Sequence, residues 1–558
     1  MSTPFQELIL PPMPGHATVL NLVQSVDTDE KELCERLGVE SITFLSGKEI
    51  RDKGTIDGLN HAAEVHRSSG SRLFAIYCPD WSRQPRRHIA YLLACIASKG
   101  KRAAVDRKNR KIPLSWQGFI FSELPIAIRD YFRGVRLLAK TRLYLDEEQN
   151  REVVRRKISR GGARSIAYLR TDLWYDIKAG GSVGHVAGVI NGFGKNGVRV
   201  HVLSWEEPAM LDSIARFNAI EPVEFLTSER EFALLAYNDQ LINSGIKIVT
   251  ESRPDAVYAR YSLDCFAPVE FSRRLNIPLI IEYNGSEVWI EKNWGRGLLY
   301  PDLSQKIEYH VLKNADLITV VSKPLKDELT SRGIEEKRIL VNPNSVDPSM
   351  FNPDRYSSDF IAARRRELKI PQDSVVAGFI GTFSPWHGVE VLAEAIPKAV
   401  EKCPNLHFLL IGSGPLIDDI KNLLENSGAI DRTTFTGIIP QDQAPKYLMC
   451  ADFFLSPHVP NPDGTPFFGS PTKLFEYMAL GKGIIASNLE QIGEIITDCE
   501  TGILVPPGDS DALADAIISL CENPELGKQF GDAARKVALS KHTWKDHASR
   551  ILNALYEL

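Results

Sequence analysis

The sequence lacks the cysteine pairs that commonly bind zinc, because its eight cysteines are scattered and none forms a C-x-x-C pair. This distribution argues against a zinc site or a disulfide framework and is typical of a reducing cytoplasm. No run approaches the ~20 apolar residues that a membrane-spanning helix needs. Residues 1 to 16 also lack the basic region and the long apolar region of a signal peptide. We therefore expect a cytoplasmic protein without structural disulfides.

The chain of 558 residues is too long for a single hydrophobic core and predicts about three domains. Its apolar content of 43% and charged content of 25% are ordinary for globular proteins. Near the N-terminus, three short apolar segments, SITFLSG, RLFAIYCPD and KRAAVD, accompany the helical segment HIAYLLACIASKG. This pattern predicts a small α/β layer. Residues 1 to 160 are therefore interpreted as an N-terminal accessory α/β region.

Charge is unevenly distributed along the chain. Residues 83 to 164 contain 21 Lys and Arg and 7 Asp and Glu, a net charge of +14, whereas the whole chain carries −5. This basic segment is expected to attract anionic surfaces such as lipid headgroups, nucleic acid or acidic glycans. Within it, apolar and basic side chains recur at helical spacing: Ile128, Phe132 and Val135 are interleaved with Arg129, Arg133, Arg136 and Lys140. Such a helix either lies on an anionic membrane or packs its apolar stripe on a neighbouring domain.

The segment SPTKLFEYMALGK, residues 470 to 482, carries the clearest chemical signal. Ser470 or Thr472 is predicted to cap a helix that begins here, and the remaining first-turn N–H groups form an anion site with the helix dipole. Lys473 adds a cation, and Glu476 adds an acceptor about one turn deeper, at a suitable place for ribose hydroxyls. A phosphate followed by a sugar hydroxyl is the profile of a nucleotide sugar. The alternative is an amphipathic helix that serves only to bury apolar side chains.

A second segment, GGSVGH at residues 180 to 185, lies between the predicted strand SIAYLR and a predicted helix. Glycines there let backbone N–H groups approach an anion, and the helix directs its N-terminus at the same point. A dinucleotide-binding loop would instead need G-x-G-x-x-G and an acidic residue at the end of the next strand. The sequence has neither, because that strand ends in Ser204 and Trp205. We interpret the segment as an anion-binding loop.

Together these segments resemble the retaining glycosyltransferases of the GT-B fold, in the group-1 family usually called family 4. Those enzymes carry a pattern such as EGFGLVLLEAMACG, and residues 468 to 481 read FGSPTKLFEYMALG in the same register. The second glutamate of the family's E-x7-E pair falls on Glu476, whereas the first falls on Phe468. The segments GGSVGH and KRILVNPNSVDPSMFNP resemble the family's glycine loop and interdomain element. The resemblance covers about 70% of the chain, from Ser165 to Leu558.

The resemblance implies an α/β GT-B architecture, in which two Rossmann-like domains face each other across a cleft. The expected boundaries are residues 161 to 355 for the N-terminal, acceptor-side domain and residues 356 to 535 for the nucleotide-sugar-binding domain. A terminal helix over residues 536 to 558 is expected to cross back to the N-terminal domain. The implied reaction moves a sugar from a UDP- or GDP-sugar to a hydroxyl of a glycan, glycolipid or small molecule, with retention, as in polysaccharide biosynthesis. A sugar-nucleotide epimerase and a catalytically inactive binding module remain alternatives.

The same resemblance assigns roles to individual positions. Thr382 and His387 stand where relatives usually have the arginine and lysine that neutralise the diphosphate. The candidate catalytic residues are His387, Lys473 and Glu282, and Asn284 is a candidate acceptor contact. The candidate donor-binding residues are Gly180, Gly181, Gly184, His185, Thr382, Gly437, Ser470, Thr472 and Glu476.

One apparent metal motif is present, Asp509-Ser510-Asp511, which looks like the DxD of other transferases. We interpret it as a helix cap with an acidic first turn. Neither a metal nor a separate cofactor is expected, since the nucleotide sugar is itself a substrate. The expected partners are the donor, a glycan or lipid-linked acceptor and, through the basic segment, an anionic membrane; nucleic acid is not expected.

Overall fold

Three largely parallel β-sheets form the framework of the part of the chain that the structure, a computed structural model, describes. That part comprises residues 16–22, 30–37, 39–46, 50, 55–78, 81, 84, 86–107, 110–158, 162–173, 177–225 and 229–558. Residues 1–15, on which the expectation about a signal peptide rests, lie outside it, as do short pieces of the basic segment. The chain divides into unit 1, Met1–Tyr144 with Pro222–Tyr237, and unit 2, Leu145–Glu221 with Asn238–Leu558.

Unit 1 contains the first sheet. Its strands are β1 (His16–Asn21), β2 (Ser41–Ser46), β3 (Leu73–Cys78), β4 (Lys101–Asp106) and β5 (Lys111–Pro113), and its first helices are α1 (Glu30–Leu37), α2 (Thr55–Ser68) and α3 (Arg87–Ala97). The strand order is β2-β1-β3-β4-β5, and β5 alone of these strands runs antiparallel to its neighbour. Apolar side chains cluster on both faces, one cluster around Phe74 and Tyr91 and the other around Val19 and Leu33. The predicted α/β layer is confirmed.

Part of the basic segment, including residues 128 to 140, forms a long helix, as predicted. Helices α4 (Trp116–Gly118) and α5 (Leu124–Gln149) are joined by a π-helical turn at Phe119–Glu123. Proline at position 125 follows the turn and fits there because the first residues of α5 need no intrahelical donor of their own.

Helix α5 has a buried inner face and an exposed outer face. On the inner face Asp130 is fully buried, and Phe232 packs so closely on Gly134 that a Cβ there would lie 2.1 Å from its ring. The outer face is exposed to solvent along its apolar stripe: Ile128 by 50%, Phe132 by 64% and Val135 by 41%. This stripe is the one that the sequence assigned either to a membrane surface or to a neighbouring domain.

The N-terminal half of unit 2 is built on a seven-stranded parallel sheet. Its strands are β6 (Ser165–Arg170), β7 (Arg199–Ser204), β8 (Ala215–Ala219), β9 (Ala256–Arg260), β10 (Leu279–Tyr283), β11 (Leu317–Val320) and β12 (Ile339–Val341). The helices along this part of the chain are α6 (Gly181–Lys195), α7 (Arg230–Gln240), α8 (Ile246–Ser252), α9 (Ala267–Leu275), α10 (Glu287–Asn293), α11 (Pro301–Asn314) and α12 (Lys323–Ser331). The strand order is β12-β11-β10-β9-β6-β7-β8, so it reverses between β6 and β9.

The C-terminal half repeats this plan with six parallel strands. They are β13 (Val375–Ile380), β14 (Leu406–Ile411), β15 (Thr433–Phe435), β16 (Phe453–Ser456), β17 (Gly483–Ser487) and β18 (Ile503–Val505). Its helices are α13 (Ser358–Glu367), α14 (Val389–Lys402), α15 (Ile417–Asn426), α16 (Ala444–Leu448), α17 (Thr472–Leu480), α18 (Glu490–Ile495), α19 (Ser510–Glu522), α20 (Pro524–Lys541) and α21 (Trp544–Glu557). The strand order is β15-β14-β13-β16-β17-β18, so it reverses between β13 and β16.

Two doubly wound sheets therefore make up unit 2, as the predicted pair of Rossmann-like domains requires. In such sheets a ligand binds beyond the carboxyl ends of the strands, where the strand order reverses. The strands of a parallel sheet are covered on both faces, and β10 and β14 are buried along their whole length. Glu282 is a charged residue inside one of these strands, so its carboxylate requires partners.

The terminal helix α21 packs on α6 of the N-terminal half. A Cβ on Gly188 would lie 2.2 Å from the Trp544 ring, and a Cβ on Gly192 would lie 2.3 Å from the Trp544 carbonyl oxygen. Two glycines one turn apart thus allow the two helices to approach closely. Among the described residues, no helix combines the length and the apolar character needed to cross a bilayer.

Candidate functional site

Three glycines line the carboxyl edge of the C-terminal sheet. Gly381 follows β13, Gly412 follows β14 and Gly437 lies just beyond β15. Gly412 donates its N–H to the Gly437 carbonyl at 2.9 Å, and a Cβ on Gly412 would lie 2.0 Å from the Gly381 carbonyl oxygen. Only glycine fits so close to the neighbouring backbone. At this edge a ligand would therefore meet backbone N–H and carbonyl groups rather than side chains. Gly437, a predicted donor contact, is part of this edge.

Lys473 brings a buried positive charge to the same edge. It lies in the first turn of α17, is 6% exposed, and its Nζ lies 4.3 Å from the centroid of the Phe379 ring. A Cβ on Gly381 would lie 2.5 Å from Nζ, so the ammonium group is directly beside the end of β13. Nζ has no hydrogen-bond partner among the residues that the structure describes. Burial lowers the pKa of Lys473 to about 7, and the nearby Glu476 carboxylate only partly opposes this effect.

The position of Lys473 distinguishes the two interpretations of α17. A lysine on a helix that is only structural extends its ammonium group to water. Here the group is enclosed, and an enclosed charge without a partner destabilises the fold until a counter-charge reaches it. The geometry therefore favours a helix that binds an anion.

Glu476 lies one turn deeper in α17, as predicted, and is 5% exposed. Its Oε1 accepts a 2.7 Å hydrogen bond from Nε2 of Gln441. Burial raises the pKa of Glu476 to about 7, although the Gln441 bond and the Lys473 charge act in the opposite direction. Gln441 also donates its backbone N–H to the Lys178 carbonyl at 2.8 Å, so it links the two halves of unit 2. Sequence reasoning missed Gln441.

The predicted cap of α17 is wrong. The N-cap position is occupied by Pro471, and Oγ of Ser470 instead accepts a hydrogen bond from the backbone N–H of Asn344 at 3.1 Å. Asn344 also donates through Nδ2 to the Ser470 carbonyl oxygen. Ser470 therefore joins the two halves rather than the first turn of α17. Proline offers no side-chain oxygen, and the N–H of Leu474 bonds to the Pro471 carbonyl at 3.1 Å. Within the described part of the chain, the N–H groups of Thr472 and Lys473 are therefore left to a ligand.

The residues predicted to form a glycine loop instead form the first turn of α6, which begins at Gly181, and this turn faces α17 within unit 2. A Cβ on Gly181 would lie 2.2 Å from Oγ1 of Thr472, and a Cβ on Gly184 would lie 3.3 Å from Nε2 of Gln441. Gly180 has a φ of 101°, which only glycine adopts without strain. The structure therefore brings together the donor-binding residues predicted from the two halves.

A chain of hydrogen bonds anchors the helix after this loop. Glu282, which is 2% exposed, contacts Nε2 of His185 at 2.6 Å and accepts a hydrogen bond from the Tyr258 hydroxyl at 2.6 Å. Nδ1 of His185 lies 2.6 Å from Oδ1 of Asn344. Burial alone would raise the pKa of Glu282, but His185, Arg260 and Tyr258 outweigh it and hold the pKa well below its ordinary value.

His185 is held in place by this chain of contacts. Asn344 uses Nδ2 to donate to Ser470, so its Oδ1 faces His185 as an acceptor. The two ring nitrogens of His185 therefore face oxygen atoms of Asn344 and Glu282. Glu282 was predicted to be catalytic, but its carboxylate is engaged by His185 and Tyr258. In this geometry it positions His185 rather than offering a free carboxylate to a substrate.

Asn284, the predicted acceptor contact, keeps a free hydrogen-bonding atom. Its Nδ2 donates to Oε1 of Glu282 at 2.5 Å. Its Oδ1 is buried and has no hydrogen-bond partner within the described ranges. A buried carbonyl oxygen of this kind is usually satisfied, so a ligand hydroxyl is a suitable donor for it.

His387 lies beside the Lys473 ammonium group as a neutral ring. Its Nδ1 lies 2.6 Å from the Thr382 carbonyl oxygen, so Nδ1 carries the proton. Burial and the charge of Lys473 lower the pKa of His387 well below its ordinary value, and the bond to Thr382 only partly opposes them. Nε2 is then an acceptor, which suits a sugar hydroxyl. It would donate to a diphosphate only if the ligand restored the charge of the ring.

His458 is a second residue that sequence reasoning missed. It is 1% exposed and lies two residues beyond β16, beside the point where the strand order reverses. Its ring meets the His387 ring edge-on at 5.2 Å between centroids. Neither His458 nor Gln441 belongs to a recognisable motif, and the signal that could have found them is their place just beyond strands of a doubly wound sheet.

Two family models match this part of the chain. The family described as Glycosyltransferase Family 4 matches residues 179–350, beginning at the glycine loop. The family described as Glycosyl transferases group 1 matches residues 374–523, which include Lys473 and Glu476. The chain belongs to the group-1, family 4 glycosyltransferases. The resemblance seen in the sequence is confirmed.

This family 4 chain is similar in sequence to curated proteins, and the matched region spans a different share of each one's length. It is 26% identical over 242 residues to the GDP-mannose-dependent alpha-(1-6)-phosphatidylinositol monomannoside mannosyltransferase of Mycolicibacterium smegmatis, which is 43% of this chain and 62% of that protein. It is 25% identical over 385 residues to an uncharacterised glycosyltransferase of Methanocaldococcus jannaschii, which is 67% of this chain and 93% of that protein. The match therefore spans less than two thirds of the mannosyltransferase.

Solved structures share the fold of this family 4 chain. Anabaena Alr3699/HepE in complex with UDP-glucose matches with a TM-score of 0.54 and 17% identity, over 71% of this chain and 100% of that one. Sucrose-phosphate synthase from Thermosynechococcus elongatus matches with a TM-score of 0.55 and 21% identity, over 71% of this chain and 98% of that one. The predicted GT-B fold is confirmed.

The apparent metal motif of this family 4 chain is a helix cap, as predicted. Asp509 accepts hydrogen bonds from the backbone N–H groups of Asp511 at 3.0 Å and Ala512 at 2.9 Å, at the start of α19. Within the described part of the chain, no group of three or more His, Cys, Asp or Glu side chains is arranged to hold a metal ion. Metal independence stays a prediction.

We predict that Lys473→Met weakens the binding of UDP or GDP roughly tenfold or more without lowering the free energy of unfolding. The variant removes a charged hydrogen-bond donor from the ligand site, an interaction worth ~1.5–3 kcal/mol. It also removes an enclosed charge that has no partner in the free protein. Titration calorimetry and thermal unfolding measure the two effects.

The matched control is Lys482→Met, two residues beyond α17. Nζ of Lys482 donates to the carbonyl oxygens of Met449 and Ala451, so its loss should lower stability and leave nucleotide affinity unchanged. If Lys473→Met behaved like Lys482→Met in both measurements, Lys473 would be a structural residue.

Proposed function

We propose that this chain transfers a hexosyl group from a UDP- or GDP-sugar to an acceptor hydroxyl, with retention at the anomeric carbon. The observation that carries the proposal is the buried ammonium group of Lys473 beside the glycine edge of the C-terminal sheet, to which the described residues offer no hydrogen-bond partner. The comparisons support a nucleotide-sugar donor, since one relative is named as GDP-mannose-dependent and one solved neighbour holds UDP-glucose. Transfer within polysaccharide or glycolipid assembly fits these relatives.

The donor would bind with its diphosphate between the two halves of unit 2. Lys473 and the first-turn N–H groups of α17 would neutralise it from one side, and the loop from Gly180 to Gly184 would approach it from the other. Glu476 would accept a hydrogen bond from a ribose hydroxyl. The nucleobase would lie over the backbone at Gly437, where a Cβ would meet no atom within 4 Å.

The reaction we propose takes place on one face of the sugar. The bond between the anomeric carbon and the diphosphate oxygen breaks, and a bond from that carbon to the acceptor oxygen forms on the same face. The departing diphosphate oxygen takes the proton of the acceptor hydroxyl. The protein holds the two substrates together and stabilises the negative charge on the leaving group through Lys473. Neither a metal nor a separate cofactor enters this scheme.

Two neutral acceptor atoms would orient the hydroxyl groups of the substrates. These atoms are Oδ1 of Asn284, which lacks a partner among the described residues, and Nε2 of His387. One lies on the N-terminal half and the other on the C-terminal half. Both accept rather than donate, which suits hydroxyl groups and not phosphate oxygens.

Incubation of the protein with UDP- and GDP-sugars tests this function against the alternatives. We expect slow release of the nucleoside diphosphate, because water can replace an absent acceptor. An epimerase would interconvert the sugars, and an inactive module would leave every donor unchanged. Either result would overturn the proposal.

The Glu476→Ala variant should weaken nucleoside diphosphate binding by ~1.5–3 kcal/mol in the same protein, the range for losing a charged hydrogen-bond partner. Its matched control is Glu525→Ala, which removes an exposed carboxylate from the start of α20. Equal affinities for the two variants would show that Glu476 does not contact the nucleotide.

We further propose that the acceptor is held at an anionic membrane surface, to which helix α5 attaches the protein. The exposed stripe of Ile128, Phe132 and Val135 runs along the outer face of this helix, and Phe121 is exposed in the π-helical turn just before it. Arg129, Arg133 and Arg136 lie in the same turns and are exposed. Apolar side chains flanked by basic ones fit the boundary between acyl chains and anionic headgroups. Each basic residue near such a surface contributes about 1 kcal/mol, which is enough for reversible attachment.

We predict that the protein sediments with liposomes that contain anionic lipid, and that this binding falls as salt rises. The triple variant Arg129→Glu, Arg133→Glu, Arg136→Glu should abolish sedimentation, and Phe121→Ser with Phe132→Ser should weaken it. The control variant, Lys402→Glu with Lys528→Glu, changes charge in the C-terminal half and should bind as the unmodified protein does. If the unmodified protein ignored anionic liposomes at low salt, the acceptor would be soluble.

A further inference from the structure

An aromatic group occupies the position where the family motif has its first glutamate. The Phe468 ring stacks on Trp294, with centroids 5.7 Å apart and planes inclined by 28°. Trp294 also stacks on Trp386, at 4.7 Å and 27°. Trp289 meets Trp294 edge-on at 4.8 Å and Phe468 edge-on at 5.1 Å. We call Trp289, Trp294, Trp386 and Phe468 the aromatic stack.

The aromatic stack begins next to the ammonium group of the candidate diphosphate site. Trp386 directly precedes His387, whose Nδ1 lies, like Nζ of Lys473, beside Gly381. Trp386 and Phe468 come from the C-terminal half, whereas Trp289 and Trp294 come from helix α10 and its end in the N-terminal half. A ring bound here would lie between the donor side and the acceptor side of the site.

The backbone is shaped to bring Phe468 to this place. Gly285 has a φ of +129°, and a Cβ on it would lie 2.6 Å from the Phe468 ring. Ser322 donates its hydroxyl to the Phe468 carbonyl oxygen at 2.8 Å. The substitution of the family's glutamate by phenylalanine is thus accompanied by fitted neighbours on the opposite half.

The aromatic stack differs from the hydrophobic core around it. All four rings are partly exposed, whereas core rings such as Phe379 and Phe383 are fully buried. The Trp289 indole N–H donates to Oδ2 of Asp463 at 2.6 Å, which fixes the ring in place. Partly exposed, fixed aromatic rings beside a few polar acceptors are typical of a ligand site, and their faces match the C–H face of a sugar ring.

We propose that the aromatic stack is a subsite for a hexopyranosyl ring, which it holds through the C–H face of the sugar. Phe468 cannot accept a hydrogen bond from a sugar hydroxyl, as the family's glutamate can. The sugar would therefore be bound by stacking on aromatic rings rather than by a charged side chain. The inference rests on the proposed function. The ring belongs either to the donor or to a neutral glycan acceptor, and both present the same chemistry.

The test compares the unmodified protein with Trp386→Ala and Phe468→Ala. In the donor arm, calorimetry measures UDP against UDP-glucose and GDP against GDP-mannose. In the acceptor arm, maltotetraose is titrated into the protein saturated with UDP or GDP. In one of the two arms, both variants should bind the sugar-containing ligand about tenfold more weakly than the unmodified protein does. The affinity for UDP or GDP alone should stay unchanged. Trp386→Phe should recover part of the loss, since it keeps an aromatic face.

The control variant is Trp116→Ala, which removes a partly exposed tryptophan from unit 1 and should change neither arm. If Trp386→Ala and Phe468→Ala left both arms unchanged, or weakened UDP and UDP-glucose equally, the aromatic stack would be a contact between the halves and the inference would be overturned. If the unmodified protein bound neither nucleoside diphosphates nor their sugars, the proposed function would fail as well.

Discussion

The burial of the Lys473 ammonium group is the interaction on which the account of unit 2 depends. A charge removed from water without a partner destabilises a fold, yet this one lies against the Phe379 ring and beside Gly381, and the described residues give it no hydrogen bond. Burial in this environment lowers the pKa of Lys473. The stability that the free protein gives up becomes available as binding free energy when an anion enters the site. The glycine edge, the uncapped first turn of α17 and the glycine loop all converge on the same point, so they form one anion site rather than separate motifs.

The residues that hold the two halves of unit 2 together also set the site. Glu282 fixes His185, His185 fixes Asn344, and Asn344 binds Ser470 immediately before α17. Gln441 makes a second link, because it binds Glu476 through its side chain and Lys178 through its backbone. These buried polar groups satisfy one another, and each therefore constrains where the glycine loop lies relative to α17. Glu282 also positions Asn284, whose Oδ1 has no partner among the described residues, whereas the Thr382 carbonyl positions the His387 ring.

The strands of the parallel sheets could be predicted from the sequence. A parallel strand that is buried on both faces consists of a short run of apolar residues, as in β10 and β14. The placement of Lys473 and Glu476 one turn apart on a helix also followed from the spacing of their motif, while their roles stay predictions. Prediction from the sequence failed where the conformation of a residue depends on contacts between segments that are distant in the chain. Ser470 was expected to cap α17 but binds Asn344 instead, and local sequence cannot anticipate that competition. Gln441, His458 and the aromatic stack lie outside any periodic pattern, and the neutral state of His387 depends on its burial beside Lys473.

The central claim is that a nucleoside diphosphate supplies the missing charge partner of Lys473, and proton uptake on binding tests it most directly. At about pH 8 the lowered pKa leaves Lys473 mostly uncharged in the free protein, so a bound diphosphate must recharge it. Calorimetric titration of UDP or GDP in buffers of different ionisation enthalpy measures the protons taken up. We predict an uptake that approaches one proton per site for the unmodified protein and is absent in Lys473→Met. Tight binding without proton uptake, or the same uptake in both proteins, would contradict the account.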